Sequence, residues 1–283
     1  MKKINTLLMA TLLCTVLSAK EEEEHRHSGK SNIKINYETL NFSNSKKKND
    51  GRRYGIEIDH ENAHHHYQFY YEKTNTHTTK IVSKDLDVKK YTLKYQYKIT
   101  PKERVTLSYI EIDDNLMKET NNGHIYGFGY SKNGLGVTQY LSDYPHFDVY
   151  QSDLKYSFKK DGLKTTLIGK YIHLKDKNSN SFSTKAKSEY FTGGIKLHTH
   201  HNGYHLGAGI YLGKRAFAVM KEGFKVQHHS MEFKESYMFG IGHALQEDTV
   251  VHLRYGYHKA KEIPLNNDNV KVENISLDLV YKF

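Results

Sequence analysis

The final stretch, Val272–Phe283, constrains this chain more than any other. Asn274, Ser276, Asp278 and Lys282 alternate there with Ile275, Leu277, Leu279, Tyr281 and Phe283. A period of two places one apolar and one polar face on a β-strand. The alternation runs to the last residue, so the chain ends inside a strand, where a domain terminus usually frays. Such a strand needs a partner. Pairing with the first strand would close the sheet and leave no free edge.

The same alternation recurs from Asn32 onward. A first strand is expected over about Asn32–Phe42, a second around Tyr54, Ile56 and Ile58, and a third around Tyr67, Phe69 and Tyr71. Further strands carry Tyr91–Tyr97, Val105–Tyr109, Tyr126–Tyr130 and their successors. Polar connections at Ser43–Gly51, Asn75–Leu86, Asp113–Asn122, Lys175–Ser188 and Ala260–Asn269 alternate with tighter ones at Thr100–Lys102, Lys132–Gly134, Lys159–Gly162 and His200–Gly203. Lys214–His229 fits either a small helix or an extension of the neighbouring strands. The count is roughly fourteen strands, with twelve or sixteen if one hairpin is misread, and an even number brings both ends of a barrel to one side.

Met1–Ala19 has a basic start at Lys2 and Lys3, an apolar run from Leu7 to Leu17 and small residues at Ser18 and Ala19, the pattern of a cleaved secretory signal. Its removal takes away Cys14, the only cysteine, so the exported chain has no thiol chemistry. Lys20–Ser31, with Glu21–Glu24, His25 and His27, shows no periodicity and is expected to be a solvated tail. Residues 32–283 then form one domain. Mean hydropathy is −0.75 and no later stretch approaches the length of a membrane helix. A β-barrel escapes that criterion because half of each strand faces water. The composition of 23 Tyr, 12 Phe and no Trp suits aromatic girdles at two membrane interfaces. Net charge is +10, two units of which leave with Lys2 and Lys3. For an exported chain that excess points away from nucleic acid and toward lipopolysaccharide and anionic solutes.

Taken together, the alternating strands, the loop rhythm and the terminal Phe283 resemble monomeric fourteen-stranded porins and channels of the Gram-negative outer membrane. The resemblance implies an all-β, antiparallel, up-and-down transmembrane barrel and passive passage of small hydrophilic solutes. It implies outer-membrane lipid and the barrel-assembly machinery as partners, with Phe283 as the assembly signal, and no cofactor. Fatty-acid transporters of the same strand number carry an N-terminal plug domain, for which the short tail here is insufficient.

If the apolar face meets lipid, the opposite face lines the lumen. That face holds Arg53, Glu57, Glu72, Lys90, Lys94, Lys98, Arg104, Asp153, Lys155, Lys164, Lys170, Lys196, Arg254 and Asp278. So many charges are too costly for a dry core, which points to a wet channel leaning toward anions. Each also has the plainer reading of a charge paired across strands for stability. A fourteen-stranded lumen is intermediate in width and open to narrowing by loops or long side chains. His198 and His205 share one hairpin and face inward, a possible two- or three-ligand site for a divalent metal. An outer-membrane hydrolase would need Ser oriented by His; His229 and Ser230, adjacent on a strand, would point to opposite faces. A plugged, structural or adhesive barrel is the other alternative.

Overall fold

The computed structural model describes residues 29–177 and 184–283. The signal segment and nearly all of the tail lie outside the described residues. Strands run β1 Lys30–Ser43, β2 Lys48–Glu61, β3 His65–Thr78, β4 Leu86–Thr100, β5 Glu103–Asp114, β6 Gly123–Lys132, β7 Leu135–Asp143 and β8 Phe147–Lys160. They continue as β9 Leu163–Asp176, β10 Glu189–His201, β11 Tyr204–Arg215, the two-residue β12 Val219–Met220 and β13 Lys225–Val226, then β14 Met231–Ala244, β15 Thr249–Glu262 and β16 Asn267–Lys282. Fourteen of these form one closed antiparallel barrel, each strand beside its sequence neighbours, while β12 and β13 pair only with each other.

Closure is by β1 and β16, in register from Asn32 with Lys282 to Ser43 with Lys271. The seam continues to the last residue, where the Phe283 amide donates to the Ser31 carbonyl at 2.9 Å and the Ser31 amide to the Phe283 carbonyl at 3.1 Å. The strand that ends the chain is thus held on both sides. Turns such as Asp161–Gly162 and Asn202–Gly203 gather at one end, together with the start of β1 and the end of β16. Each pairs a left-handed Asn or Asp with a left-handed Gly, the chemistry of a tight hairpin. Longer connections gather at the other end.

Those longer connections are shorter than their polarity suggests. Ser43–Gly51 reduces to the four residues between β1 and β2, and Asn75–Leu86 and Ala260–Asn269 lose residues to strand on both sides. Polar side chains do not prevent backbone pairing, so the ladders run on past the apolar belt. The tail shortens likewise, with β1 beginning at Lys30.

Alternation sorts the two faces. Ile35, Ile56, Leu107, Phe128, Leu253 and Leu277 point outward and are exposed, flanked by tyrosines. Tyr67 and Tyr95, 5.2 Å apart, lie toward the turns, and Tyr71 and Tyr91, also 5.2 Å apart, lie toward the loops. Inside, charged and polar residues occupy the middle of the barrel. At the loop end the inward positions become apolar: Leu40 and Phe42 on β1, Leu86 and Val88 on β4, Ile110 and Ile112 on β5, Phe147 and Val149 on β8, Ile172 and Leu174 on β9, Val270 and Val272 on β16.

That apolar lining has an occupant. The connection from β11 to β14, residues 216–230, folds into the barrel instead of away from it. Ala216, Phe217, Ala218, Val219 and Val226 join one buried cluster with the linings of β4 to β10. Met231 and Phe233, where the connection returns to the wall, join a second with those of β1, β15 and β16. Of the two alternatives for this segment, the strand extension holds at Lys214 and Arg215, which lengthen β11; Lys221–Gly223 forms a tight left-handed turn, not a regular helix, between two-residue strands that leave the barrel ladder. At the loop end the expected wet lumen is therefore narrowed by a loop, one of the means of narrowing that the strand count left open, with apolar side chains from loop and wall packed together.

Phe217 is fully buried, with its ring 4.9 Å from that of Phe147. Phe217→Ala should cost about 3–5 kcal/mol of loop docking. The expected result is faster trypsin cleavage at Lys221 and Lys225 with an unchanged β-sheet circular dichroism spectrum. Cleavage at the native rate would show that the ring does not hold the loop.

Candidate channel lumen and its constriction

The side of the lumen built by β1 to β4 carries a buried ionic network. The Arg53 guanidinium lies 2.8 Å from Glu38 and 3.2 Å from Glu72, and Lys90 lies 2.5 Å from Glu72. Tyr70 donates a further hydrogen bond to Glu72 at 3.2 Å. Its ring lies flat on the wall because Gly55 offers no side chain beneath it. The loop completes this network, with the Lys225 ammonium 2.8 Å from Glu38. Neither carboxylate has appreciable access to water, so each depends on its cations.

The opposite side belongs to β8, β9 and β10. Lys170 pairs with Asp153 and also donates to the Val219 carbonyl of the loop at 3.1 Å. Gln151 grips the same residue twice, donating to its carbonyl at 2.7 Å and accepting from its amide at 2.8 Å. Glu222 of the loop pairs with Lys155 on β8 and lies 3.6 Å from Lys94 on β4. In the ring of strands β1 and β8 are seven apart. The loop tip is therefore fastened to opposite walls, by Lys225 to β1 and by Val219 and Glu222 to β8. It crosses the lumen.

Among the other residues assigned to the lumen, Glu57 pairs with Lys34, Lys98 with Glu61, and Arg254 with Asp278, to which Asn36 also donates. Lys196 has its ammonium 5.8 Å from the Tyr211 ring. Arg104 and Lys164 are exposed near the turn end. Reading the strands alone missed Glu38 and all three charged residues of the loop tip, Lys221, Glu222 and Lys225. Glu38 was legible, since it shares the inward face of β1 with Asn36. The loop residues had no periodicity to place them.

The loop tip departs from ordinary backbone geometry. Lys221, Glu222 and Gly223 are consecutive left-handed residues with φ of 50°, 57° and 102°. For the two non-glycine residues this conformation crowds Cβ against the following carbonyl and costs about 1–2 kcal/mol each. At the root of the loop His228 is buried and His229 half-buried, with ring centroids 4.1 Å apart. Burial, reinforced by Lys90 beside His228 and Lys48 beside His229, pushes both imidazoles well below their ordinary pKa, so they are neutral at neutral pH. The premise that His229 and Ser230 sit on a regular strand does not hold, because both lie in the irregular end of the loop. The His229 ring packs edge-on to Phe42 at 5.7 Å.

His198 and His205 do meet, with ring centroids 6.0 Å apart. His200 lies 4.4 Å and His252 5.4 Å from His205, the latter reaching across Gly242. The rings line up along a row of paired strands instead of converging on a point. Among the described residues no group of three or more His, Cys, Asp or Glu side chains could hold a metal ion.

No family model and no curated protein sequence matches the chain. Solved structures do. The Acinetobacter baumannii outer membrane protein Omp33 superposes with a TM-score of 0.51 at 10% identity, covering 90% of this chain and 99% of that one. The Ralstonia pickettii toluene transporter TbuX gives 0.54 at 8% identity, covering 91% and 90%. A Pseudomonas aeruginosa FadL homologue gives 0.52 at 8%, covering 89% and 90%. At such identities the likeness shows the fold, a closed fourteen-stranded barrel of the kind found in Gram-negative outer-membrane channels.

The network around Glu72 generates a measurable expectation. Glu72→Gln strands Arg53 and Lys90 in a buried site, and should destabilise the barrel by about 3–5 kcal/mol in urea unfolding from detergent micelles. Adding Lys90→Met should restore part of the loss. A single variant as stable as the native protein would mean that water reaches the network freely.

Proposed function

We propose that this protein is an outer-membrane channel through which small hydrophilic solutes pass by diffusion, with a preference for anions, under the control of the inserted loop. The observation that carries this reading is the loop tip itself. It is tied by ion pairs and hydrogen bonds to opposite walls at the level where the lumen is lined by charge. A barrel serving only as a structural or adhesive surface has no use for a charged, strained crossing inside it. One of the fold neighbours is a toluene transporter, and the reading adopted here is likewise non-enzymatic. Export by a cleaved signal, recognition of Phe283 during assembly, and contact with lipopolysaccharide at the loop end belong to the same reading.

A plugged barrel is the second reading, favoured by the apolar packing of Phe217, Val219 and Val226 across the loop end. Planar-bilayer recording of the refolded protein separates the two. The native protein should show small conductance steps, and a variant lacking residues 217–229 should show larger ones. Under a salt gradient the reversal potential should indicate anion preference, weakened when Lys94, Lys170 or Arg254 is replaced by Glu. Silence from a folded, inserted variant without the loop would overturn the channel reading.

A further inference from the structure

We propose that Lys94, Lys155 and Lys196 form a binding site for small carboxylate anions, and that Glu222 of the inserted loop occupies this site as a tethered competitor. The inference rests on the channel reading and deepens it by naming a solute class and a way for that solute to open the lumen.

The argument starts from which lumenal cations have partners on the wall. Lys34, Lys90, Lys98, Lys170 and Arg254 each pair with a carboxylate on a barrel strand: Glu57, Glu72, Glu61, Asp153 and Asp278 respectively. Lys94 and Lys155 differ. Among the described residues the one carboxylate within ion-pair distance of either is Glu222, which belongs to the loop. Among the described residues Lys196 has no carboxylate within that distance, and Glu222 acts on it electrostatically. The three lysines come from β4, β8 and β10, strands that do not touch one another. What brings them to one anion is the anion on the loop.

The contacts have the form of carboxylate recognition. One oxygen of Glu222 faces Lys155 and the other faces Lys94, so the group bridges two ammonium ions from different strands. Aromatic rings flank two of the three lysines, one from the loop and one from the wall. The Lys94 ammonium lies 4.9 Å from the centroid of Phe224, and that of Lys196 lies 5.8 Å from the centroid of Tyr211. The Lys94 side chain is 4% exposed, whereas that of Glu222 is 53% exposed to the lumen. The exposed side of Glu222 is where a solute carboxylate would meet the three lysines that the wall contributes.

The loop is poised to give the site up. Glu222 and Lys221 are held in left-handed backbone conformations that their side chains disfavour, so leaving that turn relieves strain. A solute carboxylate that takes the lysines binds only the state in which Glu222 has left them. Differential binding of that kind shifts the loop toward release. When Glu222 departs, the three lysines carry uncompensated charge, which draws the next anion in.

The test is single-channel recording of the full-length mature protein with acetate, succinate, inorganic phosphate and chloride at matched ionic strength. Acetate and succinate should raise conductance severalfold over chloride. Glu222→Gln should be open in chloride alone, should gain nothing further from carboxylates, and should still select them over chloride by reversal potential. Lys94→Gln combined with Lys155→Gln and Lys196→Gln should also be open, and should lose that selection. A Glu222→Gln channel indistinguishable from the native one, or phosphate acting as strongly as succinate, would overturn the assignment. The loop-deleted variant keeps the two proposals apart. If it conducts while Glu222→Gln behaves as native, the latch fails and the channel stands; if it is silent though folded, the channel reading fails first.

Discussion

Backbone hydrogen bonding at the β1–β16 seam is the constraint on which the rest of this structure depends. A strand that presents apolar side chains to lipid cannot leave its amides and carbonyls unpaired there, because the bilayer offers no water to satisfy them. Fourteen strands meet that demand only when the last pairs with the first, and here the seam runs to the Phe283 backbone. Once the ring is closed, alternation decides everything else about the wall. Outward positions become the lipid belt with its tyrosines, and inward positions become a lumen that must be wet, paired or filled.

This barrel uses all three solutions at different heights. Near the turns, Arg104 and Lys164 stay exposed. Through the middle, carboxylates such as Glu72 and Asp278 are surrounded by cations, because an unpaired charge at that depth is costly. At the loop end the wall turns apolar and the β11–β14 connection fills it. The loop thus has a hydrophobic root and a charged tip. Its root resembles a small protein core enclosed by the barrel, and its tip answers the charge of the walls on either side. The space at the loop end is thus filled from within the barrel sequence.

Much of this was legible beforehand, and the limits are physical. Period-two alternation and hairpin chemistry are local, so the strand count, the seam and the sidedness of residues such as Arg53 and Lys94 could be read from order alone. The apolar ends of the inward faces were also readable: Leu86 and Val88 precede Lys90 on the same face of β4, and Ile172 and Leu174 follow Lys170 on β9. Such a change of character along one face signals a guest at that end of the lumen. What the pattern could not say is which segment is the guest, since residues 216–230 have no repeating period. His198 and His205 were correctly brought together, but their ring geometry depends on cross-strand register.

By itself, then, the sequence determined antiparallel strands with an apolar outside and a charged inside, because these follow from neighbours one or two residues apart; the seam it implied only through a last strand that needed a partner. Only the tertiary structure decided that Glu222 reaches Lys94 and Lys155, that Lys225 reaches Glu38, and that the lumen is crossed at its charged level. Those pairs join residues far apart in the chain and on opposite walls. They exist because the fifteen-residue connection between the adjacent strands β11 and β14 folds into the barrel and reaches both walls.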